Sequence, residues 1–251
     1  MRKRALITGA SRGLGAVVCA ALADEGYELI MVSRNKDDME KLKAKLKNSE
    51  LHKSCSIDLF DVRGIRNQLE YNNCMLSGID VVLHSAGGGL GFRESLLSAE
   101  EFEKLLAVNL SSAIEINRIV IPEMQKQKRG NIIHVGSIAS YEAVGSVGYN
   151  TVKAGICGYV RTLGREILKD GIVLSGILPG GFISDGNAMD RLRSRNPEVY
   201  QSFIEERLPR RTMGRAEELL PLILMLCEPS AGMFGGCLIP VDAGEGKAYF
   251  V

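Results

Sequence analysis

Close to its start the chain passes from a short β-branched run, Ala5 to Thr8, into Thr8-Gly9-Ala10-Ser11-Arg12-Gly13-Leu14-Gly15, and from there into the apolar helical stretch AVVCAALADEG. A buried strand, a glycine-rich turn and a helix start in immediate succession constrain the fold more than any other feature. They demand a parallel α/β layer in which backbone N–H groups and the positive end of a helix dipole face a phosphate. Gly9 permits the tight turn, Gly13 the close approach of a pyrophosphate, and Gly15 close packing of helix on strand. Ser11 and Leu14 complete this candidate cofactor loop. The spacing is GxxxGxG, not GxGxxG, and the chain has 28 glycines, so the loop is weighed with other features.

Short apolar runs recur along the chain with helical stretches between them. Besides Ala5 to Thr8 they are Glu28 to Ser33, His52 to Ser56, Val81 to His84, Asn131 to Gly136, Val173 to Leu178 and Leu238 to Val241. Their continuity fits buried parallel strands, and the intervening spacing near 3.6, as in Met39, Leu42 and Leu46, fits helices. The expected architecture is therefore a single-domain, Rossmann-type, doubly wound α/β fold. Its seven-stranded parallel sheet carries helices on both faces. No Pro- or Ser-rich linker divides the 251 residues, which predicts one domain over 1–251. Residues 180–214 form the least regular stretch, too long for a simple connection, and are the candidate substrate lid.

A net charge of +1 offers no global field for nucleic acid or an anionic membrane, so neither is an expected partner. No segment carries the roughly 18 apolar residues of a membrane span, and the N-terminal apolar stretch breaks too early for a signal peptide. The six cysteines are far apart, without CxxC pairs, and read as buried or incidental thiols; no metal site is expected. Together these predict a cytoplasmic protein. His52, His84 and His134 lack metal-like spacing, and the arginines between Arg191 and Arg215 are interleaved with acids, as on a mixed-charge surface.

After the second run, where an acidic residue would accept hydrogen bonds from an NAD ribose, the chain reads Ser33-Arg34-Asn35. Arg34 can pair with a 2′-phosphate and Arg12 can flank the same group, which predicts NADP(H). Tyr149 and Lys153 share a helix face at i, i+4, and a cation there would draw a phenol down from about 10 towards working pH. Ser137 closes the fifth strand, where its hydroxyl can bond a substrate oxygen or cap a turn. Asn109 sits in an apolar helical pattern, as a satisfied core amide or as the anchor of a relay water.

TGASRGLG, HSAG, VNL, Ser137, YNTVK, LPGGFIS and PVDAG fall in one order along nearly the whole chain, and that order resembles the compact, NADP(H)-preferring form of the short-chain dehydrogenase/reductase family. The resemblance implies catalytic roles for four residues. Tyr149 is acid/base, Lys153 lowers its pKa and binds the nicotinamide ribose, Ser137 polarises the carbonyl, and Asn109 holds a relay water. It also implies cofactor contacts from Asp58 and Leu59 at adenine, from the Ser85-Ala86-Gly87 turn, and from Pro179, Gly180, Phe182 and Ser184 at nicotinamide. This chain departs from the family pattern with His84-Ser85 in place of Asn-Asn, Ser184 in place of Thr, and Ala243 in place of Gly. The implied activity is interconversion of a carbonyl and a secondary alcohol in a small-molecule substrate, by a homotetramer or homodimer. Alternatives are a 3-oxoacyl-(acyl-carrier-protein) reductase, a nucleotide-sugar or polyol dehydrogenase, and a non-catalytic NADP(H)-binding sensor. GGGLGFRES lacks the ITRD-like stretch associated with the first of these.

Overall fold

The computed structural model describes residues 2–249. In chain order the elements are β1 (Arg4–Thr8), α1 (Gly13–Asp24), β2 (Glu28–Ser33), α2 (Lys36–Lys43), β3 (Lys53–Ser56), α3 (Ile65–Tyr71), β4 (Val81–His84), α4 (Ala99–Leu106) and α5 (Ser112–Gln127). There follow β5 (Gly130–Val135), α6 (Val147–Ile167), β6 (Ile172–Pro179), β7 (Phe182–Ile183), α7 (Ala188–Arg195), α8 (Pro197–Arg207), β8 (Gly214–Arg215), α9 (Leu220–Leu226) and β9 (Leu238–Val241).

Seven strands form one parallel sheet in the order β3-β2-β1-β4-β5-β6-β9. These are the seven runs read from the sequence, each within one residue at either end. The order reverses between β1 and β4, which opens a crevice at the carboxyl edge of the sheet. One face is covered by α1 and α9 through Leu14, Val18, Leu22, Ile223 and Leu226. The other is covered by α3, α5 and α6 through Ile65, Leu69, Ile116, Val120, Ile156 and Val160. Such two-sided burial is what continuous apolar strands require.

Three sequence expectations change. Residues 180–214 are not irregular: α7 and α8 pack on their own apolar cluster of Ile204, Leu208 and Met213, with Met189, Tyr200 and Phe203 against it. A separate two-stranded parallel ribbon, Phe182 opposite Gly214 and Ile183 opposite Arg215, joins the two ends of this segment. The polar exteriors of short helices hid their periodicity. Cys55 and Cys74 are not free thiols but a disulfide, with Cα atoms 6.9 Å apart, because α3 carries the chain back along β3. Cysteine chemistry therefore loses its force as a sign of a reducing compartment. Lastly, α4, a π-helical turn at Ala107–Ser111 and α5 run on as one helical rod. It holds a stretch long and apolar enough to cross a membrane, yet about half of that stretch is buried inside the protein. An interior helix of a layered α/β fold needs the same composition.

Candidate active site

The β1–α1 turn is shaped by close backbone approaches. Gly9 adopts φ +69°, and a Cβ there would lie 2.9 Å from the Ala86 nitrogen. One at Gly15 would lie 2.2 Å from the Gly9 oxygen, so the first turn of α1 packs on the strand end at a distance only glycine allows. The Ser11 and Ser33 hydroxyls are 2.9 Å apart and tie the loop to the end of β2. Ala86 N donates to Thr8 Oγ1 at 3.3 Å, tying it to the turn after β4. The Ser85-Ala86-Gly87 turn thus lies directly against the glycine loop.

Arg12 and Arg34, expected to flank one 2′-phosphate, have different neighbours in the fold. The Arg12 guanidinium lies beside Gly186, where a Cβ would come within 3.3 Å of its Nη1. Arg34 is exposed, its guanidinium 4.9 Å from the Phe60 ring centre. Asp58 is exposed, its carboxylate accepting from Phe60 N at 3.1 Å, and the neighbouring Leu59 is buried. The segment after β6 arches over the glycine loop, with Ser184 Oγ 3.4 Å from where a Gly13 Cβ would sit. That hydroxyl is buried without a hydrogen-bond partner. A glycine cradle, an exposed arginine at the tip of β2 and an orphaned hydroxyl facing the cradle fit a dinucleotide laid across the carboxyl edge.

The catalytic candidates gather on the far side of the crevice. Ser137 follows β5, and its Oγ accepts from Ala139 N at 3.1 Å, so the turn-capping role is real. That bond uses one lone pair and leaves the hydroxyl proton to be donated within the crevice. Burial pushes the Tyr149 phenol up, and a hydrogen bond donated by the Ser137 hydroxyl pulls the other way. Lys153 lies one turn further along α6, buried, with Nζ donating to Val135 O at 2.9 Å and standing 5.7 Å from the Tyr149 ring centre. Burial brings its ammonium down to about 8. The Ser137 hydroxyl thus bonds the phenol directly, while the Lys153 ammonium stands beside the ring and donates to a carbonyl of β5.

Asn109 lies in the π-helical turn between α4 and α5 and is buried. Its Nδ2 donates to Gly88 O at 3.0 Å and Leu105 O at 2.9 Å, while Oδ1 accepts from Gly88 N at 2.9 Å. The amide is spent on the protein, pinning the glycine loop that follows β4. A Cβ at Gly87 would fall 2.6 Å from Oδ1, so Gly87 is small for this clamp.

Sequence reading missed a buried polar cluster beneath this site. His84 and His134 are register partners on β4 and β5, with ring centres 4.5 Å apart. His84 Nε2 donates to Asn117 Oδ1 at 2.8 Å, and Asn117 Nδ2 donates to His134 Nε2 at 3.1 Å and to Tyr159 OH at 3.2 Å. Burial holds His84 down at about 4 and His134 well below the ordinary imidazole range, helped for His134 by His84 and Lys153. The signal was available in that both histidines lie at the carboxyl ends of apolar runs, but pairing residues 50 apart needs the strand order. His52, in contrast, is structural: its Nδ1 accepts from Leu29 N and its Nε2 bonds Lys47 O.

A family profile described as short chain dehydrogenase matches residues 3–194. The chain belongs to the short chain dehydrogenase family. Its members are oxidoreductases that bind NAD(P)(H) and act on carbonyl or alcohol groups. Similar proteins include the 3-oxoacyl-(acyl-carrier-protein) reductase of Aquifex aeolicus, 27% identical with 96% of each chain covered. Another is the short-chain reductase protein NovJ of Streptomyces niveus, 27% identical over 96% of this chain and 93% of the relative. Among solved structures, L-sorbose reductase from Gluconobacter frateurii, complexed with NADPH and L-sorbose, superposes with a TM-score of 0.88. It is 25% identical, with 98% of this chain and 97% of that one covered. Among the described residues no group of three or more His, Cys, Asp or Glu could hold a metal ion.

Proposed function

We propose that this family member is an NADP(H)-dependent enzyme interconverting a carbonyl and a secondary alcohol, with Tyr149 as the acid/base. The carrying observation is that Ser137, Tyr149 and Lys153 meet at the carboxyl edge, across from a glycine cradle. Gly9, Ser11, Arg12, Gly13, Leu14 and Gly15 would hold the diphosphate, Ser33 and Arg34 the adenosine phosphate, and Asp58 and Leu59 the adenine. Ser85, Ala86 and Gly87 would line the middle, with Pro179, Gly180, Phe182 and Ser184 at the nicotinamide. When bound, the cofactor supplies the hydride that reaches the carbonyl carbon, or takes it up in the reverse direction.

Ser137 holds the carbonyl oxygen through its hydroxyl proton. The Tyr149 hydroxyl passes its proton to that oxygen as negative charge develops there, leaving a phenolate and a neutral alcohol. Lys153, buried beside the ring, would balance the phenolate charge, and Asn109 keeps the loop after β4 in place. Residues 180–214 act as the lid within one domain, and the assembly is a homodimer or homotetramer. NADP(H) over NAD(H) is supported by the absence of an acid at Ser33-Arg34-Asn35 and the exposed Arg34 guanidinium. Two substrate classes draw support from relatives, acyl-carrier-linked 3-oxo esters from the first named and polyols or ketoses from the last. A screen of ketones, 3-oxoacyl thioesters and sugar derivatives, read by NADPH oxidation, tests the reading. Turnover of one class is expected; binding of NADPH with no turnover of any class would favour the sensor.

A further inference from the structure

Glu245 is the one carboxylate among the described residues whose side chain is buried, only 2% exposed. It lies just past β9, yet both its oxygens are engaged by the segment between β6 and β8. Oε2 accepts from Gly181 N at 2.5 Å, and Oε1 pairs with Arg207 Nη2 at 2.9 Å. Gly181 opens that segment and Arg207 ends α8, so one side chain grips it at its root and at its second helix. The fit is close. A Cβ at Gly180 would lie 2.7 Å from Glu245 Oε2 and 2.8 Å from Asp242 Cβ, and one at Gly181 would lie 2.9 Å from Phe203 Cε1. Arg207 also stacks on Phe203, 5.0 Å from the ring centre.

Two more carboxylates organise the same C-terminal stretch. Asp242 accepts from Gly244 N at 3.0 Å and Gly246 N at 2.9 Å, shaping the turn that presents Glu245. Glu142, in the loop after Ser137, accepts from Lys247 N at 2.5 Å and Ala248 N at 2.8 Å. The stretch from Asp242 to Ala248 therefore ties the catalytic serine's loop to the root and the second helix of the lid. Other arginines of that region pair locally or at the surface, as Arg193 does with Asp190 and Arg210 with Glu218.

We propose that residues 242–248 form a latch in which Glu245 is a positioning residue, fixing Gly180–Phe182 and α8 against the reaction site. The inference rests on residues 180–214 being the substrate lid. The root and the second helix of the lid are then both held by a carboxylate from outside it, and Glu245 acts on substrate capture, not on proton transfer.

Glu245→Gln keeps an acceptor for Gly181 and loses the charge opposite Arg207, whereas Glu245→Ala loses both. Hydrogen exchange followed by mass spectrometry on the full chain is expected to show peptides spanning 180–207 exchanging about tenfold faster in Glu245→Ala and less so in Glu245→Gln, with peptides spanning 53–84 unchanged. Arg207→Gln should match Glu245→Gln, and the double variant should exchange no faster than either single one. On the carbonyl substrate found by screening, KM should rise several-fold while kcat and its pH profile hold. Equal acceleration across the whole chain, no acceleration at the lid, additive effects of the two glutamines, or a fall in kcat at constant KM would each overturn the latch. Exchange needs no substrate, so a protein without turnover would defeat the proposed reaction and leave the latch to be judged by its lid amides.

Discussion

The two halves of the carboxyl edge solve the problem of holding a polar ligand in opposite ways. Around β1 the binding surface is backbone. Gly9 and Gly15 bring main-chain atoms together at distances no side chain would tolerate, and nothing charged is buried. Around β4, β5 and α6 the polar atoms belong to side chains, and His84, His134, Asn109, Asn117 and Lys153 are all buried. Burial there pushes Lys153 and both histidines towards their neutral forms and raises the Tyr149 phenol. A backbone cradle is cheap to keep and intolerant of added atoms; a buried side-chain site is sensitive to charge and pH.

The most direct way to break this contrast is Tyr149→Phe. It should lower kcat/KM by about a thousandfold, with NADPH affinity and thermal stability near wild type, measured by steady-state kinetics and fluorescence titration. Unchanged turnover would remove Tyr149 from the chemistry.

The histidine pair sharpens the electrostatic half. His84 has a folded pKa of about 4 against an ordinary 6.5, so the unfolded chain binds more protons between those values and stability rises with pH across that window. The stabilisation is full above pH 6.5 and is lost as pH falls towards 4, by up to about 3 kcal/mol. Urea unfolding at pH 7.5 and 5.0 should show about 2 kcal/mol of that loss, and His84→Gln should flatten it. An identical slope in the variant would mean that other groups carry the pH dependence.

Gly15→Ala tests the backbone half. A methyl 2.2 Å from the Gly9 oxygen forces the helix off the strand. It should destabilise by ~1–3 kcal/mol and weaken NADPH and NADH alike, as read by calorimetry and titration. Full stability and binding would show that the cradle is not held by this contact. Arg34→Ala has the smallest expected effect, a loss of about tenfold in NADPH affinity, or ~1.4 kcal/mol, with NADH binding unaltered. An equal loss for both cofactors would leave the guanidinium without a 2′-phosphate role.

Local chemistry explains what could be read in advance. Each strand is a continuous apolar run, so its place in the chain is visible without its neighbours, and the glycine loop declares itself by following the first of them. Tyr149 and Lys153 share a helix face by spacing alone. The helices α7 and α8 are hard to see in the sequence because they bury one short apolar cluster and carry many charged residues around it. The disulfide partners lie 19 residues apart with a helix between them, and no spacing rule joins them.

By itself the sequence determined the sheet, the glycine-rich turn and the set of chemically able side chains, because periodicity, glycine and residue type are properties of short segments. Only the tertiary structure decided what those side chains face. Lys153 turns to Val135 O, Asn109 clamps Gly88, His84 meets His134 across two strands, and Glu245 reaches back 64 residues to Gly181. Such pairings depend on strand order and crossover geometry, and burial then shifts each group's proton affinity after the fold has brought its partners into reach.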